Sequence, residues 1–220
     1  MILNIWSKIT HNCLLCGQLA DASLLCPYCQ LRWQQQYLAR PSQLFVGRHW
    51  HQLAPFPSQL GYCIKQVKYR RALHFLRPIH WLLEQWLSEQ ELKSCTLIPM
   101  PLHPWRQWRR GFNQCHLLAE PLLARGWQLE SKAIVRRKHT KALEGLSRQE
   151  RQQQMSNAFS ARHSLAGRSV LLLDDIVTSG ASMQGLLSCC QGAGAGQIQI
   201  LSLCVTKGQI TGSAHDIGLA

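Results

Sequence analysis

The sequence predicts an α/β fold, a mainly parallel sheet covered by helices, with a small cysteine-paired unit in front of it. Three observations lead there. From about residue 73 onward, short apolar runs alternate with segments whose apolar residues recur at helical spacing. One run, Ser169–Leu173, is almost wholly apolar, as a strand covered on both faces must be. Four cysteines fall as two Cys-x-x-Cys pairs within the first 40 residues, a stretch too short to bury much core without a staple.

Residues 1–40 are read as the first unit, ending in the polar run Arg32–Gln36. Cys13-Leu-Leu-Cys16 and Cys26-Pro-Tyr-Cys29 are separated by nine residues. Each pair can present two thiolates on a tight turn, and two pairs complete a tetrahedral four-sulfur site, which suits structural Zn²⁺. The alternatives are coincidence or redox dithiols. A redox Cys-x-x-Cys opens a helix after a strand, and neither pair is expected to do so. His11 is a weaker alternative ligand. Basic residues around the cysteines are few (Lys8 and Arg32 at their margins), so a folding or interaction platform competes with a reader of nucleic acid.

Residues 41–60, with Pro41, Pro55 and Pro57, read as an irregular connection or an edge hairpin. The periodicity then predicts a helix over Leu73–Leu87, a strand over Thr96–Met100 and a helix over Asn113–Arg125. A short strand follows over Ala133–Val135. Ser147–Met155 is expected to be helical, with Ser147 and Glu150 as a capping box. Ser169–Leu173 is a strand, Ser182–Cys190 a helix ended by glycines, and Ile198–Val205 the next strand. Residues 41–220 are read as one domain, with a frayed tail after Lys207.

Of the 220 residues, 46% are apolar and 16% charged, with a formal net charge of +13. Such a field favours polyanions without choosing among them, and it also describes a merely cationic surface. Apolar runs stay short of the ~20 residues of a membrane span. The N-terminus lacks the long apolar stretch of a signal peptide. These features, with clustered rather than scaffold-type cysteines, predict a cytoplasmic protein.

The sharpest feature is Leu171-Leu-Leu-Asp174-Asp175-Ile-Val-Thr178-Ser179-Gly180-Ala181-Ser182. Ligands of open parallel sheets bind beyond the carboxyl ends of the strands, where Asp174 and Asp175 are expected. Gly180 permits a positive φ, Thr178, Ser179 and Ser182 supply hydroxyls, and the N–H groups of a helix start favour an anion. A phosphate suits that cradle, while the carboxylates suit ribose hydroxyls or a hydrated Mg²⁺. The plainer alternative is a strand–turn–helix whose aspartates cap the helix. Two acids at the end of a buried strand would then be costly.

Two basic stretches follow strands. In Pro101–Gln114, Arg106, Arg109 and Arg110 are interleaved with Trp105 and Trp108. This suits a pyrophosphate clamp, or a nucleic-acid surface on which tryptophans stack bases, or a solvated turn with its tryptophans in the core. Arg136–Lys141, including Arg137 and Lys138, could close over a bound anion or be a solvated run. Lys65, Lys68, Tyr69, Arg70 and Arg71 form a third cluster with weaker claims.

The Leu171–Ser182 segment resembles the signature by which type I phosphoribosyltransferases bind phosphoribosyl pyrophosphate (PRPP). The resemblance implies that Asp174 and Asp175 contact the ribose 2′- and 3′-hydroxyls as the catalytic acids. It also implies that Thr178, Ser179, Gly180, Ala181 and Ser182 hold the 5′-phosphate. The order of segments is Cys-x-x-Cys twice, Lys68-Tyr-Arg-Arg71, Ile98–Gln114, Arg136–Arg151 and the acidic loop. From about Cys13 to about Val205 this resembles the ComF/GntX family, competence protein F-like chains with a zinc-ribbon-like front module. One departure is Leu143, where the family usually has Gln, although Thr140, Leu146, Ser147 and Arg151 still match. The implied chemistry is displacement of pyrophosphate from C1 of PRPP through an oxocarbenium-like state, with Mg²⁺ on the pyrophosphate. Arg106, Arg109 and Arg110 would hold the leaving group, and Arg137 and Lys138 a closing hood. The implied alternative, of a different class, is a PRPP- or single-stranded-DNA-binding accessory of the competence machinery without turnover.

Overall fold

The computed structural model describes residues 11–90, 95–137 and 158–206. The chain begins with a two-stranded antiparallel hairpin, β1 (His11–Asn12) and β2 (Leu19–Ala20), followed by α1 (Pro27–Trp33) and a wider turn of helix over Gln34–Leu38. Next come β3 (Gln43–Phe45), β4 (Arg48–Phe56), α2 (Gln59–Arg70) and α3 (Leu76–Glu89), the last entered through a 3₁₀ turn at Leu73–Phe75. After β5 (Thr96–Pro99) lie three short helices, α4 (Pro104–Arg110), α5 (Gln114–Leu118) and α6 (Glu120–Ala124). Then follow β6 (Gln128–Leu129), β7 (Ile134–Arg136), β8 (Phe159–Ala161), β9 (Val170–Val177), α7 (Ala181–Gly192) and β10 (Ile198–Thr206).

Six strands form one sheet in the order β3-β4-β10-β9-β5-β6, parallel except for the β3–β4 hairpin at one edge. The two-residue period of a strand divides the interior into two cores. Leu171 and Leu173 of β9 and Leu201 and Leu203 of β10 face one core, together with α2 and α3. Val170, Leu172, Ile198 and Ile200 face the other, together with α7. Cys13, Leu25, Cys26, Cys29 and Trp33 belong to the first of these cores, so the cysteine-rich segment shares its apolar burial with the sheet. Among the described residues no helix is long and apolar enough to cross a membrane.

Several elements differ from the sequence expectation. The edge hairpin over residues 41–60 is present, but β4 is an inner strand. Helix α2 was not expected. Leu60, Cys63, Ile64 and Val67 are its buried stripe, diluted in the sequence by Lys65, Gln66 and Lys68. Its first turn lies against β4: a Cβ on Gly61 would approach Phe56 Cδ2 to 2.6 Å. The helix expected over Asn113–Arg125 is two helices. Pro121 has no N–H for the carbonyl of Leu117, and His80 Nε2 donates to that carbonyl instead, at 2.8 Å. The strand expected at Ala133–Val135 exists as β7 but, among the described residues, pairs with β8 alone in a separate antiparallel ribbon. The helix expected over Ser147–Met155 and the tail after Lys207 lie outside the described residues.

Candidate functional site

The strand carrying the two acids is longer than expected. β9 continues through Asp174 and Asp175 to Val177 because β10 stays paired with it as far as Val205. On its other side the ladder stops where Pro99 meets Leu173. Both carboxylates therefore lie within the strand, at the step where the ladder to one neighbour ends. Asp174 is 8% exposed and Asp175 2%.

Each acid has its own surroundings. Asp175 points toward α2, where Lys68 Nζ donates to its Oδ2 at 2.6 Å. Gln114 Nε2, on α5, donates to the same oxygen at 3.3 Å. Arg110 Nη1 in turn donates to Gln114 Oε1. Asn113 anchors the start of α5: its Nδ2 donates to the Met100 carbonyl at 3.1 Å, and its Oδ1 caps Cys115 N at 3.0 Å. Asp174 Oδ1 accepts from Asp175 N at 2.9 Å and from the Cys115 thiol at 3.8 Å.

The electrostatics separate the pair. Burial pushes Asp174 well above the usual carboxylate range, and the neighbouring charge of Asp175 adds to it. Burial acts on Asp175 in the same direction, but the ammonium of Lys68 overrides it and holds that carboxyl below its usual value. Burial works against the charge on Lys68, and Asp175 more than compensates, so its pKa lies above normal. The floor of the site thus holds one acid whose charged form burial disfavours and one closed ion pair.

Beyond β9, Gly180 takes φ +76° as the residue before α7, with no side chain capping the helix. Thr178 and Ser179 are exposed, while Ala181 and Ser182 lie half-buried in the first turn. The expected cradle residues are therefore together at the N-terminus of a 12-residue helix. On the other side, α4 follows β5 across Met100–His103 and buries none of its residues. Trp105 is 48% and Trp108 81% exposed, which removes the alternative of core tryptophans. Arg109 Cζ stands 5.0 Å from the centre of the Trp105 ring. Arg71 Nη2, just past α2, donates to the Arg109 carbonyl at 3.1 Å and ties the two helices together.

Of the expected anion ligands, Arg110 connects to the acids through Gln114, and Arg106 and Arg109 stand on the exposed helix. Arg137 is exposed at the end of β7, and Lys138 lies outside the described residues. The arginine that turns inward from that stretch is Arg136. Burial, and then the charge of Arg106, lower its pKa, while Asp174 acts in the opposite sense. Lys68, Gln114 and Cys115 are the site residues that the sequence left without a role, while Arg136 opens the run Arg136–Lys141 that could close over an anion. Of the three, Lys68 alone carried a signal, as a member of a basic cluster.

The four front cysteines also converge. Cys13, Cys16, Cys26 and Cys29 bring their sulfurs within 4.8 Å of one another. Cys16 Sγ lies 3.5 Å from Cys26 Sγ and 3.7 Å from Cys29 Sγ. A tetrahedron with metal–sulfur bonds of ~2.3 Å has edges of about 3.8 Å, so the donor set fits a four-sulfur ion. The first pair turns at Gly17, whose N–H donates to the Cys13 carbonyl at 2.9 Å. The second pair, against expectation, opens a helix: Cys26 caps α1 and Pro27 is its first residue. What precedes it is the turn around Leu24 (φ +61°) and not a strand, so the thioredoxin-like arrangement is still absent. His11 is not among the clustered ligands.

Comparison with known proteins identifies the family. Residues 131–215 match the phosphoribosyl transferase domain family. The chain is 31% identical over 206 residues to DNA utilization protein YhgH of Escherichia coli O157:H7, covering 88% of this chain and 90% of that protein. It is 38% identical over 113 residues to competence protein F of Haemophilus influenzae, 49% of either chain. Among solved structures, a hypoxanthine phosphoribosyltransferase from Staphylococcus aureus superposes on 61% of this chain and 65% of its own, at TM-score 0.40 and 12% identity. The chain belongs to the ComF family and carries a type I phosphoribosyltransferase domain.

Proposed function

We propose that the site around Asp174, Asp175 and the start of α7 binds PRPP, or a closely related phosphorylated ribose, with Mg²⁺. The observation that carries this reading is the adjacency of two buried carboxylates on β9 to the glycine-opened N-terminus of α7. In it, Asp174 and Asp175 accept the ribose hydroxyls. Thr178 through Ser182 receive the 5′-phosphate on backbone N–H groups and hydroxyls. Arg106, Arg109 and Arg110 face the pyrophosphate, and Arg137 and Lys138 close over it. Mg²⁺ would be held chiefly by ligand oxygens and water, since Lys68 occupies Asp175 and burial disfavours charge on Asp174, and it would supply charge neutralisation on the departing pyrophosphate. The four cysteines bind one structural Zn²⁺, and residues 1–40 serve as a metal-stapled front unit to the domain of residues 41–220. All ten cysteines are free, which suits a reducing, cytoplasmic setting.

Ribosyl transfer would proceed by loss of pyrophosphate from C1, drawing on positioning and on the basic rim. Titration calorimetry with PRPP and Mg²⁺ is expected to show binding that Asp174→Ala plus Asp175→Ala abolishes. Binding that is absent, or that survives the double substitution, overturns the reading.

A second reading rests on the two exposed tryptophans of α4 beside Arg106 and Arg109. Basic residues with exposed aromatics fit single-stranded DNA. The names of the relatives point to DNA utilization and competence, so DNA and proteins of a competence apparatus are candidate partners. In a gel shift, affinity for single-stranded DNA should fall steeply with salt and drop further in Trp105→Ala plus Trp108→Ala. Affinity indifferent to both changes refutes it.

A further inference from the structure

Resting on the PRPP reading, we propose that Lys68 is the specificity-determining residue of this site: a tethered cation on the ribose carboxylate that moves to the C1 pyrophosphate on binding and so selects PRPP over ribose 5-phosphate. Three observations carry it. First, Asp175 Oδ2 already accepts from both Lys68 Nζ (2.6 Å) and Gln114 Nε2 (3.3 Å). A ribose hydroxyl that donates to this carboxylate competes with an ammonium for the same oxygen. The side chain of Lys68 is 18% exposed and that of Asp175 3%, so parting the pair leaves the buried carboxylate without its cation and is costly. A second anion within reach of the ammonium offsets that cost.

Second, a polyanion is the partner the surroundings favour. Arg71, Arg106, Arg109 and Arg110 all stand on α4 or at the adjoining end of α2. In the ligand-free chain the ammonium of Lys68 stays on the floor with Asp175. A pyrophosphate seated among those arginines reverses the sign of the rim and attracts the ammonium toward it. Third, rim and floor are already joined. Arg110 donates to Gln114, Gln114 donates to Asp175, and Asp175 holds Lys68. An anion that draws Arg110 outward therefore also loosens the floor.

A ligand with the 5′-phosphate but no pyrophosphate fills the cradle and leaves Lys68 where it is, in competition with its hydroxyls. A ligand with both groups gives the ammonium a new acceptor and frees the carboxylate. No bond is made or broken, and one charge-assisted contact is exchanged for another.

The test compares PRPP–Mg²⁺ and ribose 5-phosphate by calorimetry on the full chain, for the wild type and for Lys68→Met. The quantity read is the ratio of the two dissociation constants. The preference for PRPP is expected to fall at least about tenfold in Lys68→Met, the equivalent of one charge-assisted hydrogen bond. PRPP loses its cation, whereas ribose 5-phosphate binds as well as before or better. A merely structural role would weaken both ligands together and leave the ratio unchanged. Lys68→Gln carries the same prediction if Lys68→Met does not fold, and Lys68→Arg should restore the preference. A ratio within about threefold of wild type in Lys68→Met or Lys68→Gln overturns the role of Lys68 while leaving the PRPP site intact. A wild-type chain that binds no PRPP removes the PRPP reading itself, and this inference with it.

Discussion

The front cysteine cluster and the floor of the site both crowd ionisable side chains into a space a few ångströms wide, and they resolve the crowding in opposite ways. Cys13, Cys16, Cys26 and Cys29 bring together four sulfurs of like character. Burial pushes the Cys29 thiol up. Burial also acts on Cys13, but backbone N–H groups, Cys26 first, draw it down to about 7. At the floor, Cys115, Asp174 and Asp175 also come within 4.8 Å, yet the chain supplies a cation of its own in Lys68. One cluster is completed only from outside, by an ion that can accept four sulfurs. The other is completed from within, by a charge that a ligand must displace. The first suits a permanent staple and the second a site that exchanges its occupant.

The largest effect expected from this contrast is at the front cluster. Cys13→Ser plus Cys16→Ser should abolish zinc binding and unfold the front segment. Apparent metal-binding free energies reach ~10 kcal/mol or more in small zinc modules, and the fully buried Leu25 and Trp33 would lose their packing. Zinc content by elemental analysis and thermal unfolding of wild type and variant check this. A protein purified without stoichiometric zinc, or a variant that melts like wild type, contradicts it.

A smaller but sharper effect separates the two aspartates. Asp175→Asn leaves the ammonium of Lys68 buried without its counter-charge, at a cost of about 3 kcal/mol. Asp174→Asn replaces an acid whose charged form burial already disfavours and should cost less than about 1 kcal/mol. The signs with pH also differ. The folded pKa of Asp175 lies below its unfolded value, so its stabilisation is present above about pH 4 and lost as pH falls through the folded pKa. The folded pKa of Asp174 lies above its unfolded value, so its contribution is complete below about pH 4 and lost as pH rises through the folded pKa. In urea unfolding, the deficit of Asp175→Asn should therefore shrink in acid, while Asp174→Asn should gain on wild type as pH rises. Equal costs for the two substitutions, or parallel pH curves, would remove the asymmetry of the floor.

The smallest effect is a control. His11→Ala should leave one zinc per chain and an unchanged melting temperature, because four sulfurs already close the coordination sphere. A lower metal content in that variant would mean that the cluster is not complete in itself.

Much of the architecture was legible because period and punctuation survive in a linear reading. β9, β10, β5, α3 and α7 lie within a few residues of where their apolar patterns put them. The elements that escaped share a cause. In α2 the buried stripe is interleaved with lysines and glutamine, and its contacts with β4 and β10 supply the order that its composition does not advertise. β7 read as one more strand of the sheet, since a three-residue apolar run says nothing about its partner. The end of β9 was misjudged because its length depends on how far β10 accompanies it.

At the site, the acids and the glycine-opened turn could be read directly, since they follow one another in the chain. Lys68 could not be assigned: 107 positions separate it from Asp175, and within its own segment it is one basic residue among several. The sequence alone determined which chemistries were on offer, two carboxylates before a phosphate-type turn and four thiols in two pairs, because adjacency and short spacing are local properties. Only the tertiary structure decided which cation sits on which carboxylate, which tryptophans are exposed and which arginine turns inward. Those outcomes depend on how strands and helices pack across the sheet, and no local spacing encodes them.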